Sequence, residues 1–84
     1  MLNLKFSKRA ARFLEKCSDD LYKRIQKTIK DLQNNPFPRG FKKVEGREGV
    51  FRIREGYHRI IYAIIKENND LFIVDIDKRS RIYD

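Results

Sequence analysis

In the second half of this chain, arginines alternate with strand-forming residues, and a basic-aromatic run closes the sequence. The first stretch reads Gly49-Val50-Phe51-Arg52-Ile53-Arg54-Glu55-Gly56-Tyr57-His58-Arg59-Ile60-Ile61-Tyr62 and the second Asp77-Lys78-Arg79-Ser80-Arg81-Ile82-Tyr83-Asp84. Successive side chains of a β-strand point to opposite faces, so Arg52 and Arg54 share one face while Phe51 and Ile53 take the other. A row of guanidinium groups on a rigid sheet suits a phosphate-bearing partner, because each planar fork grips phosphate oxygens bidentately. The plain alternative is a set of solvated arginines on the open face of an antiparallel sheet.

The elements that must hold these residues are legible in outline. Leu2 to Phe6 alternates apolar and polar residues and predicts a short strand. Ser7 can cap a helix in which Ala10, Phe13, Leu14 and Cys17 recur at helical spacing, so Cys17 reads as a small buried hydrophobe. Ser18 followed by Asp19 and Asp20 marks a second helix start, with acids against the positive end of the dipole. Leu21, Ile25, Ile29 and Leu32 form its core stripe, and Asn34-Asn35-Pro36 stops it, since the residue before proline leaves the helical region.

A basic linker follows, with Arg39, Lys42, Lys43 and Arg47 interrupted by Glu45 and Glu48, and Phe41 to Val44 is a candidate short strand. Phe51 to Arg54, Arg59 to Lys66 and Leu71 to Asp77 predict successive strands, joined through Glu55-Gly56-Tyr57 and Glu67-Asn68-Asn69-Asp70. The last two are apolar at nearly every position, as central strands are. The expected class is α+β: a short N-terminal strand, a two-helix hairpin, then an antiparallel sheet of three to four strands. The helices cover one face and the other is the candidate working surface.

Composition bounds the partners. The chain has 84 residues and a formal net charge of +8, which predicts one small domain spanning 1–84 and a polyanion or an acidic protein as partner. With 40% hydrophobic residues it has enough apolar surface for a core. A single cysteine excludes an intramolecular disulfide, and with a single histidine it cannot supply the usual N/S ligands of a metal site. Neither a metal nor a small-molecule cofactor is expected. No run approaches the roughly 18 apolar residues that span a membrane, so the expectation is a cytoplasmic protein without a membrane partner.

Phe51-Arg52-Ile53-Arg54 with Gly56-Tyr57-His58-Arg59-Ile60-Ile61-Tyr62 resembles the "YRIRVGDYRIIY" consensus of the RelE/ParE superfamily of toxins from prokaryotic toxin–antitoxin pairs. Asp77-Lys78-Arg79-Ser80-Arg81-Ile82-Tyr83 resembles that superfamily's terminal "GHRxxVY". The resemblance covers nearly the whole chain in element order. It implies a toxin restrained by a cognate antitoxin, and it favours the RelE branch, messenger-RNA endonucleases acting in the ribosomal A site. Under that resemblance Arg52, Arg54, Arg59, Arg79 and Tyr83 occupy the catalytic positions. Arg39, Lys42, Lys43, Arg47, Lys78 and Arg81 are the expected RNA-binding cations around them.

The chemistry agrees with that set. RNA is cleaved when its own 2′-OH attacks the adjacent phosphorus in line, and fixed cations stabilise the charge that builds on the phosphoryl oxygens. No metal is required, and Tyr83 can stack on a base to splay the strand. The proton acceptor stays open. Arginine remains protonated, so neither Arg52 nor Arg54 is a ready base. A related subgroup uses a glutamate in the basic linker, a position Lys42 fills here. Glu45 is close in sequence, and His58 has a suitable ordinary pKa but reads first as a structural or surface histidine. Two other functions remain: a ParE-like inhibitor of DNA gyrase, and a non-catalytic basic RNA-binding module.

Overall fold

In the computed structural model, residues 1–78 are described. Strand β1 (Asn3–Phe6) leads into helix α1 (Lys8–Lys16) and helix α2 (Asp19–Asn34). Strands β2 (Lys42–Lys43), β3 (Val50–Glu55), β4 (His58–Ile65) and β5 (Asp70–Lys78) follow. The caps are those the sequence predicts. Ser7 Oγ accepts from the Ala10 N–H and Ser18 Oγ from the Leu21 N–H, each satisfying a donor that the first helical turn leaves open. At the other end of α2, Asn35 turns to an extended conformation ahead of Pro36.

The sheet order is β1-β5-β4-β3-β2, with β1 parallel to β5 and every other pair antiparallel. Five strands therefore replace the expected three to four. The first strand is not an isolated lead-in but pairs with the free edge of β5, Asn3 opposite Asp70 through Phe6 opposite Ile73. The short strand expected over Phe41–Val44 is the two-residue β2. Cys17 departs from its expected place: it is the half-buried C-cap of α1 rather than a core residue, with Sγ 3.5 Å from the Leu14 carbonyl.

Both helices lie on one face of the sheet. Ala10 of α1 and Ile25, Ile29 and Leu32 of α2 pack with Ile60, Tyr62, Leu71, Ile73 and Ile76, all at most 2% exposed. Fully burying an isoleucine contributes about 1.5–3 kcal/mol, so this cluster dominates the stabilisation of the sheet. One irregularity makes it possible. Ile61 pairs with Asp75 but Tyr62 pairs with Ile73, leaving Val74 as an extra residue in β5. Ile73 and Ile76 are an odd number apart and would face opposite ways in a regular strand; the bulge turns both to the helices. Ser7 secures it, its N–H donating to the Ile73 carbonyl and its hydroxyl to the Val74 carbonyl at 2.6 Å.

Candidate nucleic-acid interface

Pairing decides which cations share a surface, because directly opposed residues of an antiparallel ladder point to the same face. Lys42 pairs with Arg52, and Arg52 in turn with Ile61. Arg54 pairs with Arg59, which pairs with Asp77. Lys42, Arg52, Arg54 and Arg59 thus stand together on the face away from the helices. Lys43 does not join them: it pairs with Phe51, whose other neighbour is the core residue Tyr62.

The arginines are not equally exposed. Arg54 is exposed, whereas Arg52 and Arg59 are only 2% and 6% exposed, unlike a uniformly solvated row. The register supplies a reason. Arg52 sits between Lys42 and Ile61, and Arg59 between Arg54 and Asp77, each flanked on both sides. β2 ends before reaching Arg54, which has a strand on one side only. All three arginines have interaction partners.

A shallow pocket of about 320 Å³ gathers four cations, Arg39, Lys42, Arg52 and Arg54, with Gly40 and Ile53 completing its wall. Arg39 reaches it from the linker. Arg47, Glu45 and Lys43 instead line a larger cavity of about 1020 Å³, which shares Lys42 and Arg52 with the smaller one. Lys78 is exposed at the far end of β5, opposite His58. Arg79, Arg81 and Tyr83 lie outside the described residues.

His58 is turned away from the arginines. Its ring meets Phe13 of α1 edge-on at 5.5 Å, as expected from its alternation with Arg59. Burial against this helix holds its pKa below the ordinary 6.5, helped by the nearby charges of Lys78 and Arg24 and opposed by Asp77 and Glu55. The hairpin carrying His58 is fixed by a two-residue turn in which Gly56 has φ +60°, the glycine-first pattern of a type II′ turn. Arg24 Nη1 of α2 clasps Glu55 at 2.9 Å beside that turn.

Sequence reasoning missed a second feature beside the cations. Phe37, Phe41 and Phe51 form a mutual cluster with ring centroids 5.1–5.9 Å apart, continued by Phe51 and Tyr62 at 5.7 Å. The Tyr62 hydroxyl anchors it by donating to the Pro36 carbonyl at 2.6 Å, and burial pushes its pKa up to about 12. The available signal was the pair Phe37 and Phe41 flanking a proline-glycine segment, too short for any periodic pattern.

Similar proteins agree with this architecture. The profile of the ParE toxin of type II toxin–antitoxin systems (parDE) matches residues 4–83. RelE1, a candidate toxin of Methanocaldococcus jannaschii, is 26% identical over 84 residues, covering 96% of this chain and 93% of its own. The isolated RelE toxin of E. coli shares the fold with a TM-score of 0.82 at 20% identity, covering 93% of this chain and 84% of that one. A chain of the RelBE2 toxin–antitoxin complex of Mycobacterium tuberculosis matches with a TM-score of 0.77 at 28% identity, over 93% of this chain and 98% of its own. With two helices on a mostly antiparallel sheet and a profile match across almost its full length, the chain belongs to the ParE toxin family of type II toxin–antitoxin systems, within the RelE/ParE superfamily, and has a RelE-like fold.

Proposed function

We propose that this toxin is an endoribonuclease that cleaves messenger RNA on the ribosome, inhibits translation in the cytoplasm and is restrained by a cognate antitoxin. The observation that carries the reading is the pocket where Arg39, Lys42, Arg52 and Arg54 converge. Four cations around one small concavity suit a phosphate whose charge grows during reaction. In the step itself the ribose 2′-oxygen forms a bond to the adjacent phosphorus while the bond from phosphorus to the 5′-oxygen breaks. The 2′-hydroxyl gives up its proton to a base and the leaving 5′-oxygen takes one up, so the products are a 2′,3′-cyclic phosphate and a 5′-hydroxyl. The protein's part is to hold the strand in line and offset the charge.

The exposed groups Arg39, Lys42 and Arg54 meet the phosphate in this reading, and buried Arg52 and Arg59 hold the field and geometry behind them. Glu45 is retained as the proton-accepting candidate, because its cavity shares Lys42 and Arg52 with the cationic pocket. His58 is not, since it faces α1. Arg79 and Tyr83 enter on the sequence resemblance alone, as transition-state cation and stacking group.

The ParE name of the matching family favours one other reading, a protein-binding inhibitor of DNA gyrase. Mapping messenger-RNA 5′ ends in a translating extract, alongside a gyrase supercoiling assay, separates the two. Codon-phased cuts that appear only with the toxin are the expected result. Intact message with blocked supercoiling would establish the gyrase reading, and neither effect would leave a non-catalytic RNA-binding module.

A further inference from the structure

We infer that the larger cavity beside the cationic pocket is a nucleobase subsite for the nucleotide flanking the reacting phosphate; the inference rests on the endoribonuclease reading above. The two cavities share a wall, the cross-strand pair Lys42 and Arg52. A nucleotide has two chemically different halves, an anionic phosphate and an aromatic base; both adjoining concavities carry cations, and of the two the larger adds aromatic rings. The smaller is lined by four cations. The larger has Phe37 and Phe51 in its wall, with their rings 5.1 Å apart.

Phe37 is 46% exposed while its ring packs on Phe41 and Phe51, so part of an aromatic cluster is open to a base. Lys43 stands opposite Phe51 in the ladder, and Arg47 and Lys66 add positive charge around the rim. Glu45 and Glu48 also line it, which disfavours a phosphate there, and Glu48 supplies an acceptor for a base amino group. At about 1020 Å³ it has room for a base with its sugar, at the upper end of the roughly 300–1,000 Å³ of small-molecule sites.

Fluorescence anisotropy with end-labelled oligoribonucleotides tests this on the intact protein, using a short single strand and the same strand with one abasic ribose. The protein is expected to prefer the fully base-bearing strand by roughly 5- to 150-fold, the range that one base stacked on an aromatic ring gives. Phe37→Ala should abolish that preference and Phe37→Tyr keep it. Because Phe37→Ala also removes contacts with Phe41 and Phe51 and lowers the melting temperature, affinities are compared well below the transition of each variant. Arg54→Ala should weaken both strands equally. Equal affinity of the parent protein for the two strands, or a preference that survives Phe37→Ala, overturns the subsite while leaving the nuclease reading to the cleavage assay. Codon-phased cutting without a base preference separates the two failures. If Phe37→Ala instead weakens only antitoxin binding, the cavity is a protein-docking groove and the inference is wrong.

Discussion

Arg54 and Arg59 stand directly opposite one another across the β3–β4 ladder, two like charges at the closest spacing a sheet allows. Like charges directly opposed in a sheet destabilise one another, and Asp77 on the other side of Arg59 is one counter-charge. In the proposed function, an incoming phosphate would offset this opposition.

Arg54→Ala should therefore reduce cleavage without harming the fold. Arg54 is exposed, so its loss changes stability by about ±0.5 kcal/mol or less, with relief of the charge opposition pushing upward. A preorganised donor to the transition state is worth about 2.7–4 kcal/mol, a loss of roughly 100- to 1,000-fold. Single-turnover cleavage measured beside the melting temperature decides. Normal cleavage in the variant would place the reacting phosphate elsewhere.

Arg52→Ala should behave in the opposite way on stability. The side chain is 2% exposed and has interaction partners, so truncation leaves a void and breaks those contacts. The expected loss is on the order of 2–4 kcal/mol. Urea denaturation of the two arginine variants under identical conditions tests the contrast. Equal stabilities would show that burial of Arg52 contributes nothing.

At the C-terminus, removing Tyr83 and Asp84 should abolish cleavage and leave ribosome binding largely intact. Binding is spread over many phosphate contacts, whereas in-line geometry tolerates little error; about 1 Å can cost on the order of 100-fold. Arg79→Ala should likewise lower the rate rather than the melting temperature. Message cut at the parental rate by the truncated protein would make Tyr83 dispensable.

Acid should weaken the fold partly through His58. Its folded-state pKa is lowered, chiefly by burial, so below the unfolded value near 6.5 the unfolded chain binds more protons than the folded one. Stability contributed by neutral His58 is complete above pH 6.5 and is lost as pH falls toward the folded value. Melting temperatures between pH 5 and 7.5 should converge with those of His58→Gln at the acid end. A cleavage pH profile unchanged in His58→Gln would agree with its place against Phe13; a lost acid limb would make it the proton-transfer group.

The chain's local chemistry alone determined its elements. The Ser7 and Ser18 caps, the Leu21-Ile25-Ile29-Leu32 stripe, the Asn35-Pro36 stop and the Gly56 turn each act within a few residues, so their outcome is readable before any fold exists. The arginine spacing likewise assigns Arg52 and Arg54 to one face. Tertiary structure decided what depends on partners far along the chain. Nothing near Leu4 announces its pairing with Leu71, and Val74 becomes a bulge only because Tyr62 and Ser7 hold it there. Register across β2, β3 and β4 buries Arg52 and Arg59, exposes Arg54 and sets Lys43, opposite Phe51, on the face that the helices cover. It also brings Arg39 and Phe37 beside the sheet. A period of two specifies the face a side chain takes along its own strand, but only neighbouring strands determine whether that face is solvent, core or pocket.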